Sequence, residues 1–169
     1  MTELGSPLAG RLPPSAYVFA WLCLAGQVVH LAHRGPNRGD VGWVGLSMVL
    51  SALVVAWFAA GVLRGRTVRL VLVWILLGIG TVLTGLGIVV DLSHASGWDL
   101  LDLIVLLGQV AALAAFCSTD YLRRQRAQPS LPGPDISALV ALALVVGLLG
   151  GMTAPTDGGN PPTQLRISL

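Results

Sequence analysis

The chain has 169 residues, of which 54% are hydrophobic and 11% charged, with a mean hydropathy of +0.79 and a formal net charge of +2. A soluble domain carries about 25% charged residues, so this composition excludes an ordinary water-facing surface and predicts that much of the exterior meets lipid. All ten basic residues are arginine, dispersed over connecting segments, which excludes the basic stripe of a nucleic-acid-binding protein; arginine without lysine fits a GC-rich bacterial coding sequence.

Residues 1–14 form a short N-terminal segment that ends in Pro13-Pro14, a helix-start signal. The first apolar run follows, from Ser15 to about Ala32. It has one arginine ahead of it and no small-x-small cleavage site, so it reads as a retained anchor. The second run is Val41–Leu63, the third Val68–Leu92 and the fourth Trp98–Leu122. A linker rich in Pro and Arg, 123–135, leads to the fifth and shortest run, Ile136–Thr153. The tail, 154–169, is rich in Thr, Pro, Gly and Asn and is expected to be disordered.

About 20 apolar residues at 1.5 Å each cover a hydrocarbon layer of about 30 Å. A lone segment in lipid must satisfy its own backbone groups, so each run is expected to be helical. The predicted fold is all-α: a polytopic integral membrane helical bundle of five transmembrane helices. Its four-helix core, 15–122, would consist of two hairpins, with the fifth helix packed outside them or offered to a partner.

The two hairpins carry an echo. Gly26-Gln-Val-Val-His-Leu-Ala-His33 matches Gly87-Ile-Val-Val-Asp-Leu-Ser-His94 at five of eight positions. Each copy is followed by a Gly-Trp pair, Gly42-Trp43 and Gly97-Trp98. A duplication of 15–63 into 68–122 would give parallel repeats about an axis along the membrane normal. Small residues four apart also recur, at Ala52, Ala56 and Ala60, at Gly80/Thr84 and Thr81/Gly85, and at Ala143, Gly147 and Gly151. Such faces let helix backbones approach closely, within the chain, in self-association or against another membrane protein.

Arginine orients the bundle. Arg64, Arg66 and Arg69 mark the turn between the second and third runs, and Arg123, Arg124 and Arg126 follow the fourth. Placing both groups in the cytoplasm leaves seven inner arginines against three outer ones, with the N-terminus in and the C-terminus out of a bacterial cytoplasmic membrane. These arginines set topology and are positioned to meet anionic headgroups. Trp43 and Trp98 then fall at the outer ends of their helices, and Tyr17 and Tyr121 at the inner ends, as aromatic belts do.

In that topology all three histidines and five of eight acids lie on the outer side. His30 and His33 share a helix face, and Asp91 and His94 repeat their spacing. A metal or haem site is one reading, with His33 and His94 as ligands and His30 and Asp91 in support, since imidazole and carboxylate suit Zn, Cu or Fe. A proton-linked solute pathway lined by Asp102, Gln109 and Gln27 is another. The plainest is a set of polar residues wetted by headgroups. No cofactor is predicted outright: P-loop, Rossmann, HExxH and haem-attachment motifs are absent, as is a paired nucleophile and base. Cys23 and Cys117 sit singly in apolar runs and read as small buried residues. The leading expectation is a non-enzymatic accessory or interaction protein in contact with the bilayer, the alternatives being a metal- or haem-binding redox or transport protein and a small solute or proton-coupled transporter.

Overall fold

The structure, a computed structural model, describes residues 12–37, 39–90, 96–127 and 135–153, and at 125–127 the backbone alone. The segments 1–11, 128–134 and 154–169 therefore lie outside the described residues, as do Arg38, Asp91 and His94 and the side chain of Arg126.

The described residues form six helices: α1 Pro14–Arg34, α2 Val41–Leu63, α3 Thr67–Val90, α4 Gly97–Cys117, α5 Asp120–Ala127 and α6 Ser137–Met152. The architecture is all-helical, and α1 to α4 are each long and apolar enough to cross a membrane. α6, with 16 residues, is apolar but shorter.

Local chemistry sets the boundaries. Pro13 and Pro14 open α1, and Gly35, at φ +75, ends it in a conformation that L side chains rarely adopt. Asp40 caps α2 by accepting the Gly42 N–H at 2.7 Å. Gly65, at φ +69, turns the chain from α2 into α3. Ser96 and Asp99 form a reciprocal capping box at the start of α4, which commits the Asp99 carboxylate to the helix terminus.

The fourth apolar run ends sooner than its hydropathy predicts. Ser118 and Thr119 turn their hydroxyls back onto the carbonyls of Ala115 and Phe116, and these local bonds compete with continued helix. Tyr121 and Leu122 accordingly belong to α5, which folds under the bundle. Leu122 is buried there, and the Tyr121 hydroxyl donates to the Leu63 carbonyl at 2.8 Å, tying α5 to the end of α2.

α1 packs on α4 and α6, α2 on α6 and α3, and α3 on α4. The helices thus close a ring in the order α1, α4, α3, α2, α6. This corrects the expectation of a four-helix core with the last helix outside. α6 lies between α1 and α2, so α3 and α4 pack directly whereas α1 and α2 are separated.

The small-residue face of α6 explains its place. A Cβ added at Gly147 would overlap the backbone of Ser51 and Ala52, and one at Gly151 the backbone of Ser47 and Met48. Ala143, Gly147 and Gly151 therefore seat α6 directly on α2. At its far end the Asn37 N–H donates to the Met152 carbonyl at 2.7 Å, joining α6 to the loop between α1 and α2.

The outside of the ring is apolar. α3 has one buried residue, Leu70, and exposes Ile75, Ile79, Leu83 and Leu86 among others. Exposed apolar surface this extensive is foreign to soluble monomers and fits contact with lipid.

Candidate functional site: a cavity inside the helix ring

All five ring helices line one cavity of about 390 Å³, within the range of small-molecule sites. Its wall is built from Phe19, Ala20 and Cys23 of α1, Val55, Phe58 and Ala59 of α2, Leu76 and Leu77 of α3, Leu106 and Leu113 of α4, and Ala143 and Val146 of α6. Gln27 and Gln109 supply amides to this wall, and among the described residues no charged side chain lines it.

The floor lies at the arginine-bearing end. Leu113, Phe116 and Leu122 are at most 2% exposed and pack with Ala16, Val62, Leu63, Leu70 and Leu139 into a dense apolar cluster. The Tyr121–Leu63 hydrogen bond sits on the same floor. Arg64, Arg66, Arg123 and Arg124 surround this end with exposed side chains, and Arg123 approaches Asp120 at 3.7 Å.

The opposite end follows the register of α1 against α4. The two helices run antiparallel, so each turn up one matches a turn down the other. Gln109 Nε2 donates to the Leu22 carbonyl at 3.1 Å. A Cβ at Gly26 would lie 3.0 Å from Gln109 and 3.4 Å from Val105, so glycine admits α4 closely at this level. Above it His30 Nε2 lies 3.3 Å from Asp102 Oδ1, and above that the His33 and Trp98 rings stack 6.0 Å apart with 9° between their planes. Cys23, Gln27 and His30 form one stripe on α1, as Asp102, Gln109 and Phe116 do on α4. The polar residues therefore descend from the His30–Asp102 pair to the two glutamines and then give way to an apolar chamber.

The expected site residues divide accordingly. Gln27 and Gln109 line the cavity together. Asp102 is paired with His30, not placed on the cavity wall. His33 is held against Trp98. His94 and Asp91, the other half of the expected ligand set, lie outside the described residues. Among the described residues no group of three or more His, Cys, Asp or Glu side chains is placed to hold a metal ion. Arg69 does more than mark a turn: its guanidinium lies 3.7 Å from the centre of the Trp57 ring and donates to the Trp57 carbonyl at 2.7 Å.

Sequence reasoning missed the apolar wall. Phe19, Phe58 and Leu77 carry no signal beyond hydropathy, and Cys23, read as a packed residue, is part of the lining. The 3.6-residue stripe through Cys23 and Gln27 was the one available hint.

No family model matches the chain, and no similar curated protein or solved structure is found.

Proposed function

We propose that this chain is a five-span protein of a bacterial cytoplasmic membrane, N-terminus in and C-terminus out, that binds a small, mostly apolar solute between its helices. The observation that carries the reading is the cavity shared by all five ring helices, apolar throughout except for the amides of Gln27 and Gln109. A chamber of this kind suits a largely hydrocarbon ligand oriented by one or two polar contacts. The fifth span is supported by the place of α6 in the ring and its apolar sequence; at about 24 Å it is short for a bilayer, a mismatch that local thinning accommodates. The orientation is supported by the arginines gathered at the floor end.

Binding by the purified protein of a neutral fluorophore that brightens in apolar surroundings tests this reading. Saturable binding that weakens at least ten-fold in Ala20→Leu and Ala59→Leu, but not in the outward-facing Val54→Leu, is the expected result. Absence of saturable binding, or equal binding by all four proteins, overturns it.

A second reading, as an accessory protein that associates with another membrane protein, draws on α3. Its Gly78, Gly85 and Gly87 face open space, whereas the small-residue face of α6 is already occupied by α2. Stoichiometric co-purification of a partner that is lost in Gly85→Leu would favour it.

A further inference from the structure

We infer that the ligand of this cavity is an uncharged molecule dissolved in the bilayer, and that it enters sideways between α2 and α3. This rests on the cavity-binding reading above and adds the ligand's class and its source.

The other seams of the ring are closed by direct contact. Between α2 and α6 the backbones meet at Gly147 and Gly151. Between α1 and α4 Gly26 and Gly108 admit Gln109 and Leu22, and the Gln109–Leu22 hydrogen bond crosses the seam. Between α1 and α6 the Gln27 amide reaches Gly150, and between α3 and α4 Leu106 reaches Gly80. The floor is the buried cluster of Leu113, Phe116 and Leu122, and beyond the two glutamines the His30–Asp102 pair joins α1 to α4 again. α2 and α3 are the neighbours that pack least. Their lower end is fastened by Arg69, whose side chain crosses from α3 over Gly61 to Trp57. Above that fastening Leu76 lines the cavity and, at 58% exposed, is as open as its α3 neighbours Ile75 and Ile79, which do not line it. One side chain therefore touches both chamber and exterior.

The chemistry of the opening selects the ligand. Trp57 of α2 and Leu76 and Ile79 of α3 are exposed apolar side chains at this seam, so a molecule already in hydrocarbon passes without gaining or losing water. A charged solute would meet no counter-charge in the wall and would bear the full penalty of desolvation. An amphiphile with one neutral hydrogen-bonding group, such as an alcohol, ketone or amide, satisfies that group at Gln27 and Gln109 and leaves its hydrocarbon body against Phe19, Phe58 and Leu113.

The test uses the full chain in phosphatidylcholine liposomes and two photoreactive aryl diazirines, one lipid-soluble and one sulfonated and water-soluble, with insertion mapped by residue. The lipid-soluble probe is expected to label Phe19 and Cys23 on the inner face of α1 and Trp21 on its outer face, and the sulfonated probe to label Phe19 and Cys23 at least ten-fold less. Leu76→Trp should reduce lipid-soluble labelling of Phe19 and Cys23 at least ten-fold, with Trp21 unchanged and Ile75→Trp without effect. Should Leu76→Trp not fold, Ile79→Trp, one turn along on the same face of α3 and outside the cavity lining, narrows the same opening. Heavier inner labelling by the sulfonated probe, or labelling within two-fold of wild type in the folded variant, overturns lateral entry and leaves the cavity in place. Labelling of Trp21 with neither probe reaching Phe19 or Cys23 overturns both readings.

Discussion

Gly147 of α6 rests on the backbone of Ala52 in α2 so closely that even a methyl group has no room between them. The added Cβ of Gly147→Ala meets main chain, which cannot rotate away, so α6 must shift along its whole length. Overpacking of this kind costs about 1–3 kcal/mol, and Gly151→Ala, against Met48, should behave alike. Gly150→Ala meets mainly the flexible Gln27 side chain and should cost less. Gly85→Ala, on open α3, should be neutral or stabilise by up to about 1 kcal/mol through helix propensity. Reversible unfolding in mixed micelles reads all four, and equal effects at Gly147 and Gly85 would contradict the α2–α6 packing.

The His30–Asp102 contact joins α1 to α4 at a half-buried position. Polar contacts between helices in membranes are worth about 0.6 kcal/mol on average and up to about 1.7. A double-mutant cycle with His30→Gln and Asp102→Asn should return a coupling in that range, and additivity would show the pair to be incidental. If the cavity also passes its solute in a proton-linked step, Asp102→Asn should abolish flux from loaded vesicles while leaving equilibrium binding of the fluorophore unchanged.

Hydropathy and helix-end chemistry made the elements legible. α2 occupies Val41–Leu63 as read from its apolar run, because Asp40 and the arginine-bearing turn are unambiguous stops. α4 was read five residues too long, since Leu122 is as apolar as what precedes it and the break depends on two hydroxyl–carbonyl bonds. The small-residue face at Ala143, Gly147 and Gly151 was visible as a face; its partner was not, because a stripe of glycines states that something comes close without stating what. The site shows the same limit. Gln27 and Gln109 stand out in apolar helices, but the contact of His30 with Asp102, 72 positions away, depends on the register of α1 against α4, which no local pattern encodes.

Tyr121 ties the short α5 to the end of α2, and burial raises its phenol above the usual tyrosine range. Tyr121→Phe should cost about 1 kcal/mol at neutral pH, the usual net worth of one hydrogen bond. The pH dependence has a definite sign. A phenol whose pKa is higher folded than unfolded contributes stability that is fully present below the unfolded value of about 10 and is lost as pH rises through the folded one. Wild type should therefore lose more stability than Tyr121→Phe on going from neutral pH to above 10, so the two converge in alkali. A gap that stays constant with pH would show that this hydroxyl is not what the alkaline transition reports.

Arg69 of α3 holds the lower end of the α2–α3 seam. Its guanidinium is stacked on Trp57 and bonded to the Trp57 carbonyl, while Gly61 leaves the space through which its hydrocarbon stem passes. Arg69→Gln removes both the stacking and the charge, and Trp57→Leu removes the ring but leaves the carbonyl. If this contact fastens the lower end of the α2–α3 opening, both variants should speed lipid-soluble labelling of Cys23, Arg69→Gln by at least three-fold and Trp57→Leu by less. Gly61→Leu, which evicts the Arg69 stem, should resemble Arg69→Gln. A replacement by lysine is not conservative here, because an ammonium cannot lie flat on the indole while donating to the carbonyl in the same plane; Arg69→Lys should fall between Arg69→Gln and wild type. Rates indistinguishable from wild type in Arg69→Gln would place the fastening elsewhere along α3.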